Sequence, residues 1–209
     1  MNILVIAPHP DDESIGCGGT VYKHTKAGER VSAVFLTSGE LGLKTLPPEK
    51  ARSVREKEAR AAAKILGLVD LVFLRGSDWY VTDTTDRLTS ELTVLFTREK
   101  PELIYLPHPG EWHPDHQAAL PLVQGALKAV DLAPTLRTYE VWTPLSEFDH
   151  LEDISSVMPF KLKAVRAHRS QCKNLRYDRA VRGLNEYRGA MTTKYRYAEV
   201  FQVIAPGAA

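Results

Sequence analysis

The chain has 209 residues, with Lys and Arg totalling 27 against 26 Asp and Glu, a formal net charge of +1. At 44% hydrophobic and 25% charged residues it has the composition of one ordinary soluble globular domain spanning residues 1–209. The near-zero charge argues against a strongly electrostatic nucleic-acid or membrane-surface binder, and Cys17 and Cys172 alone make no disulfide framework.

The elements follow in chain order. Asn2 to Ala7 reads as a buried strand, after which the small-residue turn Gly16-Cys17-Gly18-Gly19 leads into a helix ending near Gly28. Arg30 to Thr37 is a second strand. Glu49 to Leu66 is helical, with Val54, Ala61, Ala62, Ile65 and Leu66 on one face and Gly67 at the C-terminal cap. Asp70 to Leu74 is a third strand, and Thr84 to Lys100 a helix stopped by Pro101. Glu102 to Leu106 is a fourth strand. A helix then runs to about Val130, and Pro121 either opens it near Leu120 or kinks it. Thr138 to Trp142 is a fifth strand. Two helices, Val157 to Gln171 and Asp178 to Thr193, precede a last strand, Tyr197 to Ile204. No apolar run approaches the roughly 18 residues a membrane-spanning helix needs. The first residues lack a secretory leader, so the cytoplasm is the expected location.

Alternating strands and helices predict an α/β fold, a three-layer sandwich with a mostly parallel sheet. Ligands of such sheets bind beyond the carboxyl ends of the strands. Polar residues cluster there: His9, Asp11, Asp12 and Glu13 after the first strand; Ser38 to Glu40 after the second; Arg75 to Asp78 after the third; His108 and Glu111 to His116 after the fourth. The two densest motifs are Pro8-His9-Pro10-Asp11-Asp12-Glu13 and His113-Pro114-Asp115-His116. Two histidines and a carboxylate are a common ligand set for catalytic Zn²⁺, and Fe²⁺ suits the same donors. A spare carboxylate can serve as general base, and a spare histidine, held protonated by a nearby acid, can stabilise an oxyanion.

The paired motifs resemble those of the LmbE/PIG-L family of zinc-dependent N-deacetylases, which has a Rossmann-like fold. The likeness extends to Thr37-Ser38-Gly39-Glu40, Arg55-Glu56-Lys57-Glu58-Ala59 and His168-Arg169-Ser170-Gln171. The resemblance implies His9, Asp12 and His116 as metal ligands and Asp11 as general base. It implies His113 as oxyanion stabiliser with Asp115 as its orienting partner, and Arg55, Glu111 and Trp112 as substrate-binding residues. The implied reaction is hydrolysis of an N-acetyl group on a GlcNAc-type amino-sugar conjugate by metal-activated water, in a homo-oligomeric enzyme. A different small amide, such as a thiol conjugate, fits the same core. A non-catalytic sugar- or nucleotide-binding module is the competing reading from another class. Gly16, Gly18 and Gly19 depart from Gly-x-Gly-x-x-Gly and read as close-packing glycines rather than a phosphate loop. Glu13 fits a structural ion pair as well as a catalytic part. Cys17 has no paired base nearby in sequence, so no thiol nucleophile is expected. Trp79, Tyr80 and Trp112 fit either an aromatic wall against a sugar or packing residues.

Overall fold

A computed structural model describes residues 1–204. Seven strands form one sheet in the order β3-β2-β1-β4-β5-β7-β6. β1 (Asn2–Ala7) lies between β2 (Arg30–Phe35) and β4 (Leu103–Pro107), parallel to both, with Ile3 opposite Val31 on one side and Leu103 on the other. β3 (Asp70–Phe73) and β5 (Thr135–Tyr139) extend the parallel part. β7 (Ala198–Ile204) runs antiparallel to β5 and to the short edge strand β6 (His150–Asp153).

Successive strand side chains point to opposite faces, so β1 splits its residues by period two. Leu4 and Ile6 join a core with Val34, Leu36, Ile104 and Leu106 beneath α3 (Thr85–Glu99) and α4 (Pro114–Val130). Ile3, Val5 and Ala7 join the opposite core with Val31, Phe35 and Tyr139 beneath α1 (Asp12–Lys26), α2 (Pro48–Leu66) and α5 (Met158–Ala167). Burial on both faces explains why these strands read as unbroken apolar runs. A third cluster, with Ile15, Ile154, Met158 and Val181, seats α7 (Tyr177–Met191) against α5.

Several boundaries differ from the sequence expectation, each for a tertiary reason. The fifth strand occupies Thr135–Tyr139 rather than Thr138 to Trp142. Beyond Tyr139 the backbone N–H groups of Val141, Trp142 and Thr143 turn to the Glu111 carboxylate instead of a neighbouring strand. β6 lies outside the expected elements, because a four-residue His-Leu-Glu-Asp strand carries no alternating apolar signal. The helix expected over 157–171 is two, α5 and α6 (Arg169–Asn174), broken at His168 with φ −78° and ψ 62°. Pro121 lies inside α4, which begins at Pro114.

The crevice follows from the strand order. β1 leads through α1 to β2 on one side, while β4 leads through α4 to β5 on the other. The loops after β1 and β4 therefore diverge at a switch point, where such sheets leave room for a ligand.

Candidate metal and catalytic site

α1 and α4 both begin at this crevice, and each delivers a ligand candidate in its first turn: Asp12 opens α1 and His116 is the third residue of α4. His9 sits in the loop between β1 and α1. His9 Nδ1 and His116 Nε2 face each other at 3.3 Å, and Asp12 Oδ2 lies 3.5 Å from the first and 3.3 Å from the second. A tetrahedral centre with ligands at ~2.0–2.1 Å spaces them about 3.3 Å apart, so these three atoms fit a divalent cation without rearrangement.

The surroundings fix which atoms face the cation. His9 Nε2 meets Asp115 Oδ2 at 3.0 Å and Asp78 Oδ1 at 3.2 Å. Carboxylates only accept, so Nε2 carries the proton and Nδ1 keeps its lone pair for a metal. Burial alone would push the His9 imidazole down, but Asp115, Asp12 and Asp78 outweigh it and hold it well above the usual histidine range. Burial would raise Asp12, yet His116 and His9 hold it far below the usual carboxylate range. The same field that favours a proton on His9 favours a bound cation.

Asp11 adopts φ 137° and ψ −25°, a region costly for a residue with a Cβ. Its backbone is pinned: the N–H donates to Glu13 Oε2 at 3.0 Å, and the carbonyl accepts from Ser14 and Ile15. The side chain makes no helix-cap bond and lines the pocket. Burial pushes the Asp11 carboxyl up to about 6, against the pull of Arg55, whose Nη2 lies 3.1 Å away. Arg55 is itself fixed by the carbonyls of Pro10 and Gly39, at 2.6 and 3.0 Å. A Cβ at Gly39, where φ is +59°, would lie 2.4 Å from the guanidinium, so the Thr37–Glu40 loop needs glycine there. Glu13 also pairs with His168 Nε2 at 3.2 Å, which explains both the buried late histidine and the helix break at 168.

His113 caps α4, accepting at Nδ1 from the Asp115 backbone N–H at 3.2 Å. The neutral ring therefore presents Nε2–H as its donor. Burial, together with His9 and His116, lowers His113 to about 4. Asp115 thus meets His113 through its backbone N–H, and no hydrogen bond between its carboxylate and the His113 ring is seen among the described residues. The Asp115 carboxylate instead serves His9 and the backbone N–H groups of Trp79 and Val81, at 2.8 and 3.1 Å.

Of the expected substrate-binding residues, Arg55 and Trp112 line a pocket of about 260 Å³ with His9, Asp11, Asp12 and His113. Glu111 does not. It is fully buried, and its carboxylate is filled by the N–H groups of residues 141–143, so it shapes the loop after β5. Trp79 packs on His113 at 4.4 Å between ring centres and belongs to the pocket wall. Asp78, Trp142, Gln171 and Tyr177 also line it. Asp78 was legible only as part of a polar run after β3. Gln171 and Tyr177 arrive from helices distant in sequence, with no motif of their own. Cys17 is buried, and that burial pushes its thiol up, away from nucleophile chemistry.

Residues 4–127 match the family described as PIG-L: GlcNAc-PI de-N-acetylase. The diacetylchitobiose deacetylase of Thermococcus kodakarensis is 31% identical, over 98% of this chain and 83% of its own. Conserved protein TT1542 from Thermus thermophilus superposes with a TM-score of 0.85 at 30% identity, covering 100% of this chain and 97% of that one. N,N'-diacetylchitobiose deacetylase from Pyrococcus horikoshii, complexed with an inhibitor, gives a TM-score of 0.83 at 26% identity, covering 97% and 83%. These matches span the sheet and both motif loops: the chain belongs to the PIG-L family of de-N-acetylases.

Proposed function

We propose that the protein is a metal-dependent N-deacetylase acting on an acetylated amino sugar of GlcNAc type. One observation carries this reading. A three-atom cation cradle shares its pocket with a carboxylate that makes no cap bond, Asp11, and with a neutral imidazole donor, His113. Deacetylase relatives acting on diacetylchitobiose support the substrate class.

His9, Asp12 and His116 would hold the ion, Zn²⁺ or Fe²⁺ by the chemistry of the donor set. Such an ion supplies Lewis-acid polarisation of the amide carbonyl and makes water more acidic. The remaining work falls to the chain. Asp11 accepts a proton from the attacking water and returns it to the amide nitrogen as the C–N bond breaks, giving acetate and a free amine. His113 Nε2–H donates to the carbonyl oxygen as negative charge develops there. Arg55 fixes the Asp11 carboxylate, and the indole faces of Trp79 and Trp112 offer a wall for a sugar ring.

The test is amine release from N-acetylglucosamine and its glycosides, with a non-acetyl amide such as a thiol conjugate as the competing substrate. Asp11→Asn should lower kcat by about 10²–10⁴ while the cation stays bound. Unchanged turnover in that variant sinks the assignment of Asp11. Binding of the sugar with the acetyl group intact after long incubation would favour the binding-module reading.

A further inference from the structure

A second cavity, of about 570 Å³, adjoins the catalytic pocket, and Trp142, Leu175 and Tyr177 line both. Aromatic rings lead from one to the other. Trp79, which packs on His113, is 6.2 Å from Trp112; Trp112 is 5.9 Å from Trp142; Trp142 meets Tyr177 edge-on at 5.5 Å. Beyond Tyr177 the wall is hydrocarbon, from Ile15, Val181, Leu184 and Val200.

Most polar groups on this wall are already engaged, the exception among the buried ones being Asn185 Oδ1, which has no hydrogen-bond partner among the described residues. Glu199 accepts from Lys161 at 2.6 Å and from the N–H groups of Gly19 and Thr20 at 2.8 Å. Glu140 is held by Arg188 and by the Leu145 N–H. The Asn185 amide donates to the Ala198 carbonyl. Arg176 and Arg179 are exposed residues of the lining, and Arg176 pairs with Asp178. A second pyranose ring would bring several hydroxyls into a space with few free partners, and each unmet polar group is costly. A hydrocarbon chain or ring asks for none. Leu175 and Trp142, 48% and 37% exposed, present apolar surface at the junction of the two cavities.

We propose that this second cavity is a subsite for an apolar substituent of the amino-sugar substrate, passing over Trp142 and Tyr177 while the amide sits at the metal-facing residues. The inference rests on the deacetylase reading. The apolar group is carried either on the anomeric oxygen or on the acyl carbon, and the experiment separates these.

The metal-loaded enzyme is assayed with methyl, butyl and hexyl glycosides of N-acetylglucosamine, and with the N-hexanoyl counterpart of the methyl glycoside. One series or the other should gain at least tenfold in kcat/KM over the N-acetyl methyl glycoside, chiefly through KM. Leu184→Trp, which fills the cavity away from the catalytic pocket, should abolish that gain. Leu184→Phe should reduce it, and is read instead if the tryptophan variant does not fold. Flat kcat/KM across both series, with the methyl glycoside deacetylated, overturns the subsite and leaves the deacetylase standing. If no glycoside releases amine, the deacetylase reading has failed, and calorimetry with the hexyl glycoside decides the cavity. Binding tighter than the methyl glycoside and weakened by Leu184→Trp upholds it; equal or absent binding overturns it.

Discussion

Replacing Asp115 with Asn separates two accounts of that residue. In the structure its carboxylate accepts from His9 Nε2 at 3.0 Å, Trp79 N–H at 2.8 Å and Val81 N–H at 3.1 Å. An asparagine keeps one acceptor oxygen and turns an NH₂ toward at least one of these donors. With that oxygen in the place of Oδ2 it still accepts from His9 Nε2 and Trp79 N–H while its NH₂ meets the Val81 N–H, so what His9, the imidazole that faces the cation, loses is the negative charge beside it. Mutation of such an outer partner typically lowers metal affinity 10–100-fold, or about 1.4–2.7 kcal/mol. Asp78 still reaches His9 Nε2 at 3.2 Å, so the single variant belongs near the tenfold end. The double variant Asp78→Asn/Asp115→Asn belongs near hundredfold. Zn²⁺ affinity is measured by competition with a fluorescent chelator, with circular dichroism to confirm folding. Unchanged affinity, with kcat at saturating Zn²⁺ reduced a hundredfold or more, would refute this reasoning. It would mean that Asp115 acts through His113, as the resemblance alone implied.

Two further outcomes follow from buried charges. Burial raises the Asp11 carboxyl to about 6 and Arg55 opposes that rise, so a base at this position gains activity as pH climbs through about 6. Arg55→Gln should move the acidic limb of kcat/KM to higher pH, and an unmoved limb would dissociate Asp11 from that limb. Lys161 and Glu199, both wholly buried, pair at 2.6 Å. Lys161→Met strands the carboxylate with only N–H and hydroxyl partners, at a cost of about 3–5 kcal/mol. At ~2–4 °C per kcal/mol for a chain of this size, the melting midpoint falls by roughly 6–20 °C. A Lys161→Met/Glu199→Gln double variant should recover part of the loss. A wild-type midpoint in the single variant contradicts the assignment.

What was legible in the sequence is what local chemistry dictates. β1 and β2 announce themselves through apolar runs, and α2 through its periodicity and Gly67, whose φ of +80° and N–H bond to the Ala63 carbonyl close the helix. The two motif loops were legible as chemistry because imidazoles and carboxylates at strand ends serve little else. The glycines of α1 are packing residues, as their spacing suggests: a Cβ at Gly16 would lie 2.2 Å from the Tyr139 ring, and one at Gly19 would lie 2.7 Å from Ile154. The rest depended on partners far along the chain. Nothing local says that Glu111 ends β5, that Glu13 draws in His168 and breaks a helix, or that Asp115 faces His9 rather than its neighbour His113. Each of these pairings spans tens of residues or more, or reverses a choice between adjacent histidines, and only the assembled crevice decides it. Neither cavity wall at Tyr177 carried a motif, since a tyrosine at a helix start looks like any other.

The central claim is that His9, Asp12 and His116 form one cation site. The measurement that tests it most directly is elemental mass spectrometry on wild type and His116→Ala purified side by side, with amine release assayed on the same samples. The account predicts about one Zn²⁺ or Fe²⁺ per wild-type chain, loss of that metal in the variant, and turnover that falls with it. A wild-type chain that binds neither ion after supplementation, or a His116→Ala chain that keeps both metal and activity, contradicts it.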